Sequence, residues 1–347
     1  MARPPKKVRV AVLGAGNVGQ ALLARLSTFN TNFNTKAEIE VTGVLVRDTA
    51  KLRTSEVSCY PLASDPVALI DGADLVIELM GGLEPATSLM LNALQNGKQV
   101  ITANKAALAE RWSEFAPYLA KGRLYFEASV MSGTPVVGPL SGALRGSTPL
   151  ELHAVLNGTT TFILSRLEAG EDFAPALAEA QRLGFAEADP TLDIEGIDAA
   201  HKLALLARLA FDPLLDWSAV AASTHGISHL TPAIVREAME DGGSVRLVGS
   251  IYPESGGWET RVRTVYLPAG HPLASTADSG NALLLRTREL GEIFIQGPGA
   301  GGGATAAAVL ADLQGALDGR PGPGPLPGRA PLPTGHHAED LGELLKA

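Results

Sequence analysis

The spacing of hydrophobic positions changes several times along this chain, and each change marks an element. Val8 to Leu13 is valine-rich, as a strand buried on both faces should be. It runs straight into Gly14-Ala15-Gly16-Asn17-Val18-Gly19 and then a helical repeat from Ala21 to Leu26. Further strands are predicted over 39–46, 74–79, 99–102 and 124–127. Helices fall between them, one starting near Glu84-Pro85, where proline suits a first turn. Strand and helix in alternation predict a doubly wound parallel sheet of the α/β class.

Beyond Ser147 the texture differs. Residues 150–156 alternate like a strand with one polar face, and Asn157-Gly158-Thr159-Thr160-Thr161 then caps a helix reaching Glu168. Helices follow around 173–183, 197–211 and 232–239, with strand-like runs at 244–252, 258–267, 281–286 and 292–295. A second α+β domain with a mixed or antiparallel sheet is the simplest packing. The expected layout is a nucleotide domain over 1–135, completed by a glycine-rich loop and helix at 297–318, and a second domain over 136–296. Residues 319–347 form a tail whose Pro/Gly-rich first half predicts an extended, disordered segment, with at best a short helix over 339–346.

Composition narrows the function. The 347 residues are 46% hydrophobic, enough for two domains and a sizeable core. Twenty-eight basic against 37 acidic residues leave a net charge of −9, which argues against nucleic acid or an anionic membrane and favours a small-molecule partner. A single cysteine, Cys59, permits no internal disulfide or thiolate cluster, so a reducing, cytoplasmic setting is expected. The basic start MARPPKK is followed by a stretch too short and glycine-rich for a secretory signal. The longest uncharged run, 293–311, is broken by Gln296, Pro298 and glycines and cannot span a membrane. His336 and His337 sit in the tail, where solvent exposure is the expectation.

The candidate chemistry lies at a few places. A strand, G-x-G-x-x-G and a helix in that order read as a dinucleotide-binding loop. One glycine makes the tight turn, the second admits the pyrophosphate, and the third lets helix and strand pack. After the second strand stand both Arg47 and Asp48, with Lys51 and Arg53 close behind. An acid there suits the ribose of NAD and a base the 2′-phosphate of NADP, so the cluster favours NADP(H) and leaves NAD(H) open. Lys105, just past the strand at 99–102, is placed to contact cofactor or substrate, or simply to begin a helix. Residues 128–135, after the fifth strand, form a small-residue loop that could offer carbonyls to a hard cation or serve only as a linker.

Between Glu187 and Lys202 lie the carboxylates Glu187, Asp189, Asp193, Glu195 and Asp198. Asp189-Pro190 should break the preceding helix. Helical period returns at Ile197, with Ile197, Leu203, Leu206 and Leu209 as an apolar stripe, so Asp198 and Lys202 share a face and can pair. Taken alone, a solvated acidic loop capping an amphipathic helix is the plainer reading.

Read together, GAGNVG (14–19), TANK (102–105), EASVMSGTP (127–135), NGTTTFIL (157–164), GFAEADPTLDIEGIDAAHK (184–202) and GPGAGGGATAAAVLADL (297–313) resemble the homoserine dehydrogenase family, over about residues 8–318. The resemblance implies a Rossmann-type first domain, a catalytic and dimerising second domain, and NAD(P)H-dependent reduction of L-aspartate 4-semialdehyde to L-homoserine, on the branch toward threonine and methionine. It implies that Lys202 is the catalytic acid/base with Asp198 its partner, and that Glu187 and Asp193 hold the substrate's amino group. Asn157, Gly158 and Thr159 would complete the substrate site, and Lys105 would lie between nicotinamide and substrate. Gly14, Ala15, Gly16, Asn17, Val18, Gly19 and Gly301 would face the cofactor, with Arg47 at its ribose end. Sodium or a similar ion would be held by Glu127, Val130, Ser132 and Thr134, largely through carbonyls.

Departures from the family are Phe185 where tyrosine is common, Ala304 in place of a frequent proline, and no regulatory ACT region in this sequence, so feedback inhibition by threonine is not expected. Three other functions compete. An aspartate-dehydrogenase-like enzyme would use oxaloacetate and ammonia, and a nucleotide-sensing protein would bind NADPH without turnover. A phosphorylating semialdehyde dehydrogenase needs a thiolate, for which Cys59 in EVSCYP is poorly placed.

Overall fold

The computed structural model describes residues 6–29, 37–239, 242–254, 256–325 and 327–333. His336, His337 and the helix expected at 339–346 lie outside the described residues. The chain divides into one unit formed by Met1–Gly138 with Gly301–Gly324 and a second formed by Pro139–Ala300 with Pro325–Ala347.

The first unit carries a six-stranded sheet built from β1 (Lys6–Leu13), β2 (Ala37–Leu45), β3 (Leu62–Ala63), β4 (Leu75–Glu78), β5 (Gln99–Thr102) and β6 (Leu124–Tyr125). Its order is β3-β2-β1-β4-β5-β6, and every pair is parallel. Strand order reverses between β1 and β4, the switch point at which such sheets bind ligands. Val10, Val12, Ile77 and Ile101 from the strands bury against Leu22, Leu23 and Leu26 of the helix Asn17–Leu26. Ala306, Val309, Leu310 and Leu313 of the helix Gly302–Leu317 complete the same core, so the chain returns here from its far end.

Two details differ from expectation. β3 has only two residues, too few to show a period. The fifth predicted strand stops at Tyr125 rather than Glu127, because the Glu127 amide donates to Asp312 Oδ2 (2.9 Å) instead of to a ladder and the chain turns into a 3₁₀ helix over Glu127–Ser129.

The tail, expected to be disordered, is ordered over its first residues. Gly322 N–H donates to Gly122 O at 2.9 Å and the Tyr125 hydroxyl to Arg320 O at 2.7 Å. Proline removes donors but leaves carbonyls, and a side chain on Gly322 would collide with the Leu124 carbonyl, so this Pro/Gly sequence fits an extended, anchored strap.

The second unit has a five-stranded sheet, wholly antiparallel, in the order β11-β10-β7-β8-β9. These are β7 (Pro149–Val155), β8 (Ser244–Glu254), β9 (Gly257–Leu267), β10 (Gly280–Thr287) and β11 (Gly291–Pro298). Val155, Val248, Val265, Leu267, Ala282 and Leu284 form one buried cluster on it. The helix Ile197–Ala210 is not amphipathic in its setting: Asp198 through Ala210 are buried around the whole circumference. It tolerates this because its polar groups find partners inside, with Arg208 Nε donating to Leu215 O at 3.0 Å and His201 stacked on Trp217 at 4.6 Å. The tail is held in this unit too: Trp258 Nε1 donates to Ala330 O at 3.0 Å and Ala330 N–H to Phe211 O at 2.6 Å. Among the described residues, no helix is long and apolar enough to cross a membrane.

Candidate active site

The loop after β1 divides its work among three glycines. Gly14 has φ of 107°, and a side chain there would sit 3.0 Å from the Leu79 carbonyl. A Cβ on Gly19 would fall well inside van der Waals contact with the Gly14 carbonyl oxygen, so only glycine lets the helix Asn17–Leu26 start against the strand. Nothing lies within 4 Å of a Cβ built on Gly16, which leaves room for a ligand to approach the backbone. Ala15 is half-buried, and Asn17 and Val18 begin the helix.

A cleft of 1020 Å³ opens beside this loop, lined by Gly14 to Gly16, Arg47, Asp48, Lys51, Arg53, Met80 and Gly81 among others. Its volume suits a dinucleotide-sized ligand. Asp48 Oδ1 accepts the Ala50 amide at 2.8 Å, committing the acid to its own turn, while Arg47 is exposed at the rim. Gly301, with φ of 113°, ends the second glycine-rich loop and caps the helix Gly302–Leu317. Next to it a Cβ on Gly302 would stand 2.8 Å from Asn17 O, so this loop closes directly onto the first. Lys105 is the half-buried first residue of the helix Lys105–Glu110, whose cap is the Asn104 side chain accepting the Ala107 amide at 3.0 Å.

The loop at 127–135 is organised by a carboxylate. Glu127 Oε1 accepts the Val136 and Val137 amides at 2.7 and 2.9 Å, and Oε2 accepts the Gly138 amide at 2.7 Å. Val130 is buried, Ser132 takes a left-handed φ of 55°, and its hydroxyl meets Thr305 Oγ1 at 2.7 Å. Thr134 N–H donates to Met131 O at 2.9 Å. The Glu127 carboxylate and backbone carbonyls of the kind this loop carries are hard oxygen donors, the chemistry that a hard cation takes. Among the described residues, no group of three or more His, Cys, Asp or Glu side chains could hold a metal by itself.

In the second unit the structure gathers what the sequence holds apart. Lys202 Nζ pairs with Asp198 Oδ2 at 2.7 Å and donates to Leu156 O at 2.6 Å; both charged residues are only 8% exposed. The solvated-loop reading therefore fails for this pair, while Glu187, Asp189 and Glu195 are exposed. An ammonium has three donors, and these contacts use two. Asn157 Nδ2 bridges Asp193 Oδ1 (2.7 Å) and Asp198 Oδ2 (2.9 Å), and its Oδ1 caps the helix Gly158–Glu168 by accepting the Thr160 amide at 2.8 Å. Thr159 Oγ1 contacts Phe185 O at 2.7 Å and Asp193 Oδ2 at 3.2 Å. Gly158 packs so closely that a Cβ would lie 2.7 Å from Ser279 O.

The Asp193 carboxyl is raised above its ordinary value by burial and then by the neighbouring Asp198 charge, against the pull of Asn157. Glu187 joins none of these side-chain bonds; its carbonyl accepts Gln181 Nε2 at 3.1 Å. Sequence reasoning missed the Leu156 carbonyl and Asn281, whose Nδ2 donates to that same carbonyl at 3.2 Å. A backbone acceptor leaves no mark in sequence.

A glycine-rich loop at the switch point of a doubly wound sheet, in a chain that also buries a lysine–aspartate pair, defines the class: a nicotinamide-dependent oxidoreductase. The family model for homoserine dehydrogenase matches residues 135–314, and that for the homoserine dehydrogenase NAD binding domain matches residues 14–122. The homoserine dehydrogenase of Corynebacterium glutamicum is 38% identical over 339 residues, covering 94% of this chain and 76% of the relative. That of Bacillus subtilis is 35% identical, covering 89% and 72%. The crystal structure of a homoserine dehydrogenase from Thiobacillus denitrificans superposes with a TM-score of 0.83 at 38% identity, over 90% of this chain and 73% of that one. A hyperthermophilic archaeal homoserine dehydrogenase mutant in complex with NADPH superposes at 0.73 with 29% identity, over 91% and 99%. The chain belongs to the homoserine dehydrogenase family.

Proposed function

We propose that Lys202 is the proton donor in an NAD(P)H-dependent reduction of L-aspartate 4-semialdehyde to L-homoserine, the reaction this chain contributes to threonine and methionine synthesis. The observation that carries this is the buried Lys202 ammonium, fixed by Asp198 and the Leu156 carbonyl. The bound nucleotide supplies the hydride. As the carbonyl becomes an alkoxide, Lys202 offers positive charge and a proton in a site shielded from water. Asp198 aims the ammonium, and Asn157 keeps Asp198 and Asp193 in place. Asp193 and Glu187 bind the substrate's amino group, and Lys105 contacts nucleotide and substrate. Glu127 and the carbonyls of Val130, Ser132 and Thr134 hold a monovalent ion. We place the enzyme in the cytoplasm, as a homodimer through its second unit.

In reverse, oxidising the alcohol with NADP releases a proton overall, so homoserine oxidation should be driven further as pH rises from neutral to alkaline. Following nicotinamide absorbance with homoserine and NADP tests this; a rate that fell with pH, or no homoserine-dependent change at all, would contradict it.

Arg47, backed by Lys51 and Arg53, reads the 2′-phosphate. Arg47→Ala should therefore lower kcat/KM for NADPH relative to NADH by about tenfold, the scale of one charge-assisted hydrogen bond. An unchanged ratio in parallel assays would remove Arg47 from that role.

Asp193→Asn should trade stability against binding. The amide fits the existing bonds, its oxygen accepting from Asn157 and its nitrogen donating to Thr159 Oγ1. Since the folded-state value of Asp193 is raised, the carboxyl costs nothing in acid, and wild-type stability declines as pH rises past the ordinary carboxylate value through the raised one. The variant should thus melt higher than wild type at neutral pH, show no such gain in strong acid, and have a raised KM for the semialdehyde. Equal melting points at both pH values would show that Asp193 is not strained by burial.

A further inference from the structure

We infer that Glu78 is a positioning residue for hydride transfer: it closes a ring of hydrogen bonds that locks the 80–82 loop of the nucleotide cleft to the start of the Lys105 helix. The inference rests on the reading that this cleft takes the nicotinamide nucleotide and that Lys105 contacts it.

Glu78 is the last residue of β4 and is fully buried, an acid inside the apolar run DLVIEL. A carboxyl in such a place must be satisfied by its surroundings. Its Oε1 accepts the Met80 and Gly81 amides at 2.7 and 3.1 Å, and its Oε2 accepts the Thr102 hydroxyl at 2.6 Å. Asn104 N–H donates into Thr102 Oγ1 at 2.9 Å, which leaves the hydroxyl hydrogen to point at Glu78. The Asn104 side chain then closes the ring, Nδ2 donating to Gly82 O at 2.7 Å while Oδ1 caps the helix begun by Lys105. Burial pushes the Glu78 carboxyl upward, opposed by the Thr102 hydroxyl and the two amides.

The loop it holds needs holding. Gly81 and Gly82 both adopt left-handed φ, 72° and 73°, in sequence, a backbone with few restraints of its own. Met80 and Gly81 line the cleft, and Met80 Cγ lies 3.1 Å from where a side chain on Gly14 would stand. β4 is also the strand beside β1 at the switch point. One buried acid therefore sets the cleft wall and, two hydrogen bonds on, the backbone register of Lys105. Displacement of a reacting pair by about 1 Å can cost 10²-fold in rate.

Glu78→Gln, Thr102→Val and Thr102→Ser should be compared with wild type by three readouts: NADPH affinity from nicotinamide fluorescence, the primary isotope effect with nucleotide deuterated at the transferred position, and the melting temperature. Glu78→Gln and Thr102→Val are each expected to weaken NADPH about tenfold and slow hydride transfer by up to about a hundredfold, with a larger isotope effect. Thr102→Ser should restore both, and the Glu78→Gln/Thr102→Val double variant should be little worse than either single one. Wild-type affinity and isotope effect in both variants would overturn the inference, and so would a lower melting temperature alone. Should Glu78→Gln fail to fold, the valine and serine variants of Thr102 decide the same point. Fluorescence needs no substrate, so loss of affinity in the variants would stand even if wild type failed to turn over the semialdehyde, a result that would refute the proposed reaction instead.

Discussion

Lys202→Ala is expected to lose about 10² to 10⁴-fold in turnover, the usual contribution of a positioned proton donor, while NADPH affinity stays at the wild-type level. The side chain sits among Asp198, Leu156 O and Asn157, all in the second unit, whereas the glycine loop belongs to the first. The substitution also strands a buried carboxylate, and removing one partner of a buried ion pair costs about 3–5 kcal/mol. Activity loss must be separated from that instability. The Asp198→Asn/Lys202→Met double variant leaves no unpaired charge; it should recover melting temperature without recovering turnover. Recovery of both would show that the lysine contributes stability only.

Gly19→Ala should produce the opposite pattern. A single methyl would press into the Gly14 carbonyl, a backbone atom that cannot swing aside as a side chain could. Relieving the clash must move either the start of the helix Asn17–Leu26 or the turn at Gly14, and both shape the cleft. Overpacking of this kind costs about 1–3 kcal/mol, so NADPH affinity should fall by about 10- to 100-fold. Fluorescence titration checks it, with Gly16→Ala as the comparison. Gly16 has open space around it, so alanine there should leave the apo fold and its melting temperature intact, and any loss should come from crowding the nucleotide.

Local features were legible in the sequence. GAGNVG lies within one strand–turn–helix, and the four-residue spacing of Asp198 and Lys202 follows from helical geometry. What escaped notice depends on residues distant in the chain. Asn157 reaches Asp193 and Asp198 across 36 and 41 positions, and Lys202 reaches the Leu156 carbonyl across 46. Glu78 meets Thr102 across 24 positions, and its sequence trace was an acid in an otherwise apolar strand. The Ile197–Ala210 helix misled for a related reason: periodicity reports a helix's apolar stripe, but not that its polar face is buried against satisfied partners. The tail misled because a Pro/Gly-rich stretch suggests disorder, while residues 320–322 and 330 are anchored through hydrogen bonds to their main-chain groups, two of them from the Tyr125 and Trp258 side chains, which composition does not register.

Exposure divides the acidic segment in two. Asp193 and Asp198 are drawn inward by Asn157, and Glu187 stays at the surface. The substrate ammonium proposed to bind between Asp193 and Glu187 would thus meet one half-buried carboxylate of fixed orientation and one exposed carboxylate that can adjust.

The most direct measurement supplies NADPH to the purified protein with either L-aspartate 4-semialdehyde or oxaloacetate plus ammonia, and follows nucleotide oxidation. Consumption is expected with the semialdehyde, together with formation of homoserine and loss of that rate in Lys202→Ala. Consumption with oxaloacetate and ammonia alone, or a semialdehyde rate undiminished in the alanine variant, would contradict that expectation.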